Sequence, residues 1–119
     1  MTHEATLRHL YEALNRKDTT AAASAMTDDA VFHMLPNLVV EAATLTGREQ
    51  IRAFMAEQLA KIDIQQEISA VSENGDFATV YVQSRSTGDD GVEQVVKWAD
   101  VFKFASGTEK ICGYVSLSA

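Results

Sequence analysis

Along Trp98-Ala99-Asp100-Val101-Phe102-Lys103-Phe104 large and small side chains alternate. In a strand, that alternation places Trp98, Asp100, Phe102 and Phe104 on one face and Lys97, Ala99, Val101 and Lys103 on the other. A carboxylate in line with three aromatic rings is expensive to desolvate. Desolvation favours the neutral acid and raises its pKa, a shift that suits a general base working near neutral pH. The plainer reading is an aspartate bonded to Tyr81 or Thr79, since a short hairpin sets one of those two opposite it. Asp100 is thus the candidate catalytic residue, with Trp98 and Phe102 as walls of a cavity. At a cavity wall, water or a ligand satisfies the carboxylate; a sealed core would need a dedicated partner.

Other chemistry-bearing residues are weaker candidates. Tyr11 lies on the apolar stripe of a helix and either presents its hydroxyl to a cavity or serves as a core tyrosine. His33 falls opposite Phe32 and Met34 by strict alternation, so it enters an interior only through a bulge. Arg85 lies near a strand end, as a pocket residue or as a solvated rim charge. Cys112 reads as a small buried hydrophobe rather than a nucleophile. His3, His9 and His33 do not form a ligand set at metal spacing, and no metal or cofactor is expected. There is no phosphate-cradling glycine loop and no Gly-x-Ser-x-Gly elbow.

The 119 residues suffice for one domain with a real core and are too few for two. Seventeen acidic against ten basic side chains leave a net charge of −7, which argues against nucleic acid or anionic lipid as a partner. The apolar runs are too short to span a bilayer. A single cysteine excludes an internal disulfide and suits a reducing compartment. Met1-Thr2-His3-Glu4 shows no basic segment followed by an apolar one, so a cytoplasmic protein is expected.

The elements that must position these residues follow from periodicity. Leu7, Leu10, Tyr11 and Leu14 form the stripe of a first helix. Asp18 or Thr19 caps a short second helix running through Ala21 to Met26, and Ala30–Leu35 reads as a strand. Thr46-Gly47-Arg48-Glu49 is a capping box ahead of Ile51, Phe54, Met55, Leu59 and Ile62 at helical spacing. Alternation then predicts strands near 64–72, 77–87, 92–105 and 109–118. Asn74-Gly75, residues 88–91 and Ser106-Gly107 are the hairpin turns. Helices early and an antiparallel meander late indicate an α+β domain. Neither face of the meander reads as solvated. A second copy of the chain is expected to cover the outer one, to which Val80, Val82, Ala99 and Val101 are assigned.

Three segments resemble a known family in order and spacing: Leu10-Tyr11-Glu12-Ala13-Leu14-Asn15-Arg16-Lys17-Asp18 leading to Met26–Phe32, Leu45–Phe54, and Ala99–Phe104 followed by Lys110-Ile111. The chain is similar to the nuclear transport factor 2-like superfamily, in its SnoaL-like branch. The resemblance implies a cone-shaped α+β roll, with three N-terminal helices on a strongly bent antiparallel sheet, a pocket inside the cone and homodimers through the outer sheet face. It includes ketosteroid isomerases, epoxide hydrolases, dehydratases and polyketide cyclases, beside members that only bind or associate, so fold does not decide function. Asp100 matches a strand position that carries an acid in the isomerases and cyclases, where a protonated acid donates to an oxyanion. Two departures weigh against a steroid-isomerase mechanism. The family's general base falls on Met34 and its oxyanion tyrosine on Leu10, leaving His33 as the available replacement base.

The resemblance points Tyr81 and Gln83 inward and makes Tyr114 a further candidate. The expected ligand site therefore comprises Tyr11, Phe32, Met34, Phe54, Met55, Tyr81, Gln83, Trp98, Phe102 and Tyr114, with Asp100 and His33 for catalysis. A small, largely apolar ligand with one polar group suits it. Cofactor-free isomerisation, cyclisation or hydration is the expected chemistry, and a non-catalytic binding or dimerisation module the alternative.

Overall fold

The N-terminal stripe folds as helix α1 (His3–Asn15) in the computed structural model, which describes residues 3–34, 43–61, 63–87 and 90–118. Leu7, Leu10 and Tyr11 are buried along it. The helix ends in a left-handed residue, Lys17 at φ 60°. Asp18 N–H then reaches Ala13 C=O at 2.8 Å and Lys17 N–H reaches Leu14 C=O at 2.9 Å, the paired bonds of a Schellman terminus. Asp18 caps α2 (Thr19–Ala23), its Oδ1 accepting from Ala21 N–H at 3.1 Å. That helix stops short of Met26, because Met26 already pairs with Ile111 and opens strand β1 (Met26–Met34). Sheet pairing overrides the helix propensity of the alanine run.

Strand β2 (Ala43–Thr46) pairs antiparallel with β1; at four residues it carries too little alternation to be read from sequence. Helix α3 (Arg48–Lys61) follows at the expected place. Its reciprocal cap is shifted by one residue, since Gln50 Oε1 accepts Thr46 N–H at 2.6 Å while Glu49 pairs with Arg52. Ile62 of the expected stripe, Leu35 of the expected strand and Gly88-Asp89 of the expected turn lie outside the described residues. No helix among the described residues is long and apolar enough to cross a membrane.

Strands β3 (Ile64–Asn74), β4 (Phe77–Thr87), β5 (Glu93–Phe104) and β6 (Ile111–Ser118) form the meander. The six strands make one sheet in the order β2-β1-β6-β5-β4-β3. It is mixed rather than antiparallel throughout, because β1 and β6 run parallel. Helix α3 carries the chain between the two edge strands, so the meander's last strand returns beside β1 in the same direction. Register shifts at Met26/Val31, Ile68/Ala70 and Lys103/Phe104 mark the irregularities at which such sheets bend.

The β4–β5 register decides what faces the core. Thr87 pairs with Glu93, which sets Val80 opposite Asp100, Val82 opposite Trp98 and Ala78 opposite Phe102. Directly opposed residues share a face, so Ala78, Val80 and Val82 are buried beside Phe102 and Phe104. The expected faces of β4 are therefore reversed. The connection takes in Val92, one residue more than the turn read from sequence, and a one-residue slip moves every side chain to the other face. Val80 and Val82 leave the outer surface, and Tyr81 and Gln83 move onto it.

Two polar clasps hold the helical layer to the sheet. Asn15 bonds both backbone groups of Gln66 on edge strand β3, each at 2.8 Å. His3 stacks on Phe104 with ring centroids 4.0 Å apart, its nitrogens facing Glu109 Oε2 at 2.7 Å and Gly75 C=O at 3.1 Å. Both partners are acceptors, so the imidazolium satisfies both; the bond to Glu109 raises the pKa of His3 above its ordinary value.

Candidate functional site

Asp100 sits on β5, only 3% exposed, at the centre of a ring of donors. Tyr11 on α1 donates its hydroxyl to Oδ2. The indole Nε1–H of Trp98, two residues back on the same strand face, donates to the same oxygen at 3.0 Å. Tyr114 on β6 donates to Oδ1 at 2.8 Å. Ser116 is the residue directly opposite on β6, and its hydroxyl also favours the ionised form. Burial raises the pKa of Asp100, and the bonds from Tyr11, Tyr114, Trp98 and Ser116 pull it back down; burial prevails. Both tyrosines are held well above their ordinary range by burial and by the Asp100 charge.

The sequence sets this cluster up by alternation and by stacking. Phe102 and Tyr114 are cross-strand partners with ring centroids 5.0 Å apart, and Phe32 lies on the other side of Tyr114 at 4.8 Å. Tyr11 meets Phe102 edge-on at 6.3 Å. Such tilted and edge-on contacts hold the rings in place and aim both hydroxyls at one carboxyl.

This cluster forms one wall of a cavity of about 150 Å³ between the sheet and helices α1 and α3. Of the residues expected there, Tyr11, Phe32, Met34, Trp98, Phe102 and Tyr114 line it with Asp100, and Phe54 and Met55 face it from α3. His33 does not. Alternation holds from Phe32 to Met34, the β1 irregularity lies before Val31, and His33 emerges exposed on the outer face, its Nδ1 3.4 Å from Thr44 Oγ1. Tyr81 and Gln83 are also absent from the lining, for the register reason above, and Tyr81 is exposed. Arg85 is exposed and pairs with Glu93. Tyr81 and Thr79 do not bond Asp100; its partners come from α1, β6 and its own strand.

Sequence reasoning missed Ser116, Gln58 and Leu59 in the lining. Ser116 is two residues beyond Tyr114 on the same face, and Gln58 and Leu59 follow Phe54 and Met55 by one helical turn, so periodicity carried both signals. Gln66, from the edge strand, had no such signal. Among the described residues no group of histidine, cysteine and acidic side chains is placed to hold a metal.

The geometry has counterparts in solved structures. An NTF2-like protein of unknown function from Burkholderia pseudomallei superposes with a TM-score of 0.84 at 19% identity, covering 100% of this chain and 92% of its own. TerC, co-crystallised with polyporic acid, gives 0.83 at 15% identity over 98% of this chain and 91% of its own. SalBIII, an epoxide hydrolase/cyclase-like enzyme of pyran ring formation in salinomycin, gives 0.79 at 16% identity over 98% and 90%. At such identities the likeness speaks for the fold alone. No curated protein sequence matches the chain. A profile of the SnoaL-like domain, however, matches residues 7–114, a span that runs from the Leu7 stripe to Tyr114 in the donor ring. The chain belongs to the SnoaL-like family, and its fold is that of NTF2-like proteins.

Proposed function

We propose that the protein binds a small, largely apolar molecule in this cavity and moves a proton on it with Asp100, as a cofactor-independent isomerase, cyclase or hydratase. The observation that carries this reading is a lone carboxyl, its pKa raised by burial, at the wall of an apolar cavity with two tyrosine hydroxyls bonded to it. A raised pKa brings the group nearer to balanced proton exchange at neutral pH. The tyrosines supply the second titratable partner that His33 does not. SalBIII, described as epoxide hydrolase/cyclase-like, and TerC, crystallised with polyporic acid, support small-molecule chemistry on this fold. The chain is further proposed to pair with a second copy through the outer sheet face.

Non-catalytic binding is the second reading. It is favoured by the completeness of the donor ring, because a carboxylate so fully bonded serves equally well as a fixed polar hub. Proton exchange separates the two. A panel of neutral single-ring enolisable hydroxyketones, incubated with the protein in D₂O, is followed by NMR for deuterium at the acidic carbon. Exchange above the buffer rate that Asp100→Asn abolishes is expected. Binding without exchange, or equal exchange by the variant, rejects the enzyme reading in favour of the binding module.

A further inference from the structure

The protons around Asp100 are already spent. A tyrosine hydroxyl has one proton and two lone pairs, and an indole N–H can only donate. Trp98 and Tyr11 give theirs to Oδ2, and Tyr114 gives its own to Oδ1. Asp100 lines the cavity but is only 3% exposed, and each of its oxygens already accepts from these groups. Ser116, also in the lining, turns its hydroxyl proton to the carboxylate as well. What remains for a ligand at this end are the lone pairs of the two tyrosine oxygens and of the Ser116 hydroxyl. Gln58 and Gln66, the lining amides, each carry both donor and acceptor and discriminate neither way.

Resting on the cavity reading above, we infer that the polar end of the cavity accepts hydrogen bonds and offers none, so that it selects a neutral single-ring ligand bearing a hydroxyl donor, a phenol or an enol, over one bearing only a carbonyl. The size follows from the cavity, about 150 Å³, a volume that holds a benzene-sized ring. Neutrality follows from the buried carboxylate, beside which a second anion is repelled in a medium that screens poorly. A carbonyl oxygen would set its lone pairs against those of the tyrosines. Alternatively, a tyrosine would turn its proton to the ligand and leave a buried charge less well bonded.

Asp100→Asn should relax this selectivity. The Trp98 N–H still needs an acceptor, so the amide oxygen takes the place of Oδ2 and the NH₂ takes the place of Oδ1 against Tyr114. Tyr114 then accepts from the amide, and its own proton turns into the cavity.

The probes are 4-methylphenol, 4-methylbenzaldehyde and 4-fluorotoluene, titrated into the purified protein at neutral pH by calorimetry, with emission from Trp98, the only tryptophan, as a second signal. In the wild type, 4-methylphenol is expected to bind at least tenfold more tightly than either of the others, or about 1.4 kcal/mol. In Asp100→Asn, where Tyr114 donates while Tyr11 still accepts, the phenol's advantage over the aldehyde is expected to shrink severalfold. Tyr114→Phe, which removes one acceptor, should narrow the wild-type ratio and serves if the first variant does not fold. Equal affinities in the wild type, or tighter binding of the aldehyde or the fluoro compound, overturn the inference and leave the cavity standing as a binding site. If none of the three binds, the cavity reading itself fails.

Discussion

At the scale of single residues, Asp100 is where sequence and structure speak most directly to each other. Its anomaly was legible, since an acid in register with Trp98, Phe102 and Phe104 marks either a site or a network. Its partners were not legible, because Tyr11 lies 89 positions away and only the packing of α1 brings it near. The donor ring makes the identity of the replacement decisive. Asparagine keeps an acceptor for Trp98 and Tyr11 and gives Tyr114 a donor, so Asp100→Asn should change stability by no more than about 1 kcal/mol. Leucine strands the buried donors, at roughly 1–3 kcal/mol each, and Asp100→Leu should lower the thermal midpoint severely. Equal midpoints for the two variants would mean that the ring does not form. The charge has its own pH signature. With its folded pKa raised above the ordinary value of 3.8, Asp100 holds, at pH between the unfolded and folded values, a proton that the unfolded chain has already lost. Stability from this group is full below the unfolded value and is lost as pH rises through the folded one. The midpoint of wild type relative to Asp100→Asn should therefore fall as pH is raised from about 4 towards 7, and a flat difference would contradict the burial of the charge.

At the scale of elements, the stripes and caps were legible and the pairings were not. Leu7, Leu10 and Tyr11 announced α1, and Asp18 announced the start of α2, because both signals are local. The face of β4 depended on whether Val92 belongs to a turn or a strand, and no residue within the hairpin encodes that choice strongly. Strand β2 exists only because β1 offers it an edge. The end of α1 was also silent in the sequence, because lysine rather than glycine occupies the left-handed position. For a residue with a side chain that conformation costs roughly 1–2 kcal/mol, while glycine loses somewhat more entropy on folding. Lys17 is exposed, so its side chain contributes little packing that a replacement would lose. Lys17→Gly should therefore stabilise the protein by up to about 1 kcal/mol, read as a rise in thermal midpoint or in the midpoint of urea unfolding. A fall would show that the lysine makes contacts worth more than its backbone strain.

At the scale of the whole molecule, the register correction changes why a second copy should bind, not where. With Val80 and Val82 turned inward, the outer face of the sheet presents Phe77, Tyr81 and Val95, each close to half exposed. Val101 and Val115 line the adjoining groove with His33 and Lys103. Rings and branched chains at such exposure on one face form the kind of patch that monomers seldom leave open. Strands β4, β5 and β6 span roughly 14 Å at the usual spacing, and a strand the length of β5 runs about 40 Å. Two copies meeting face to face would then bury on the order of 1,100 Å², just above the threshold of about 1,000 Å² for a specific interface. An isologous contact of that size should give a dimer that dissociates on dilution rather than an obligate one. Tyr81 lies opposite Ala99 at the middle of the β4–β5 pairing, so a two-fold contact there brings each copy's tyrosine near its partner's sheet. Light scattering across a dilution series should report twice the chain mass at high micromolar concentration and a falling mass below it. Tyr81→Lys should move that transition to at least tenfold higher concentration by placing two like charges at the contact, without touching the cavity on the opposite face. Ligand binding by that variant should be unchanged. A wild-type chain that is monomeric at every concentration, or a Tyr81→Lys variant that dimerises as readily, would remove the outer face as the interface.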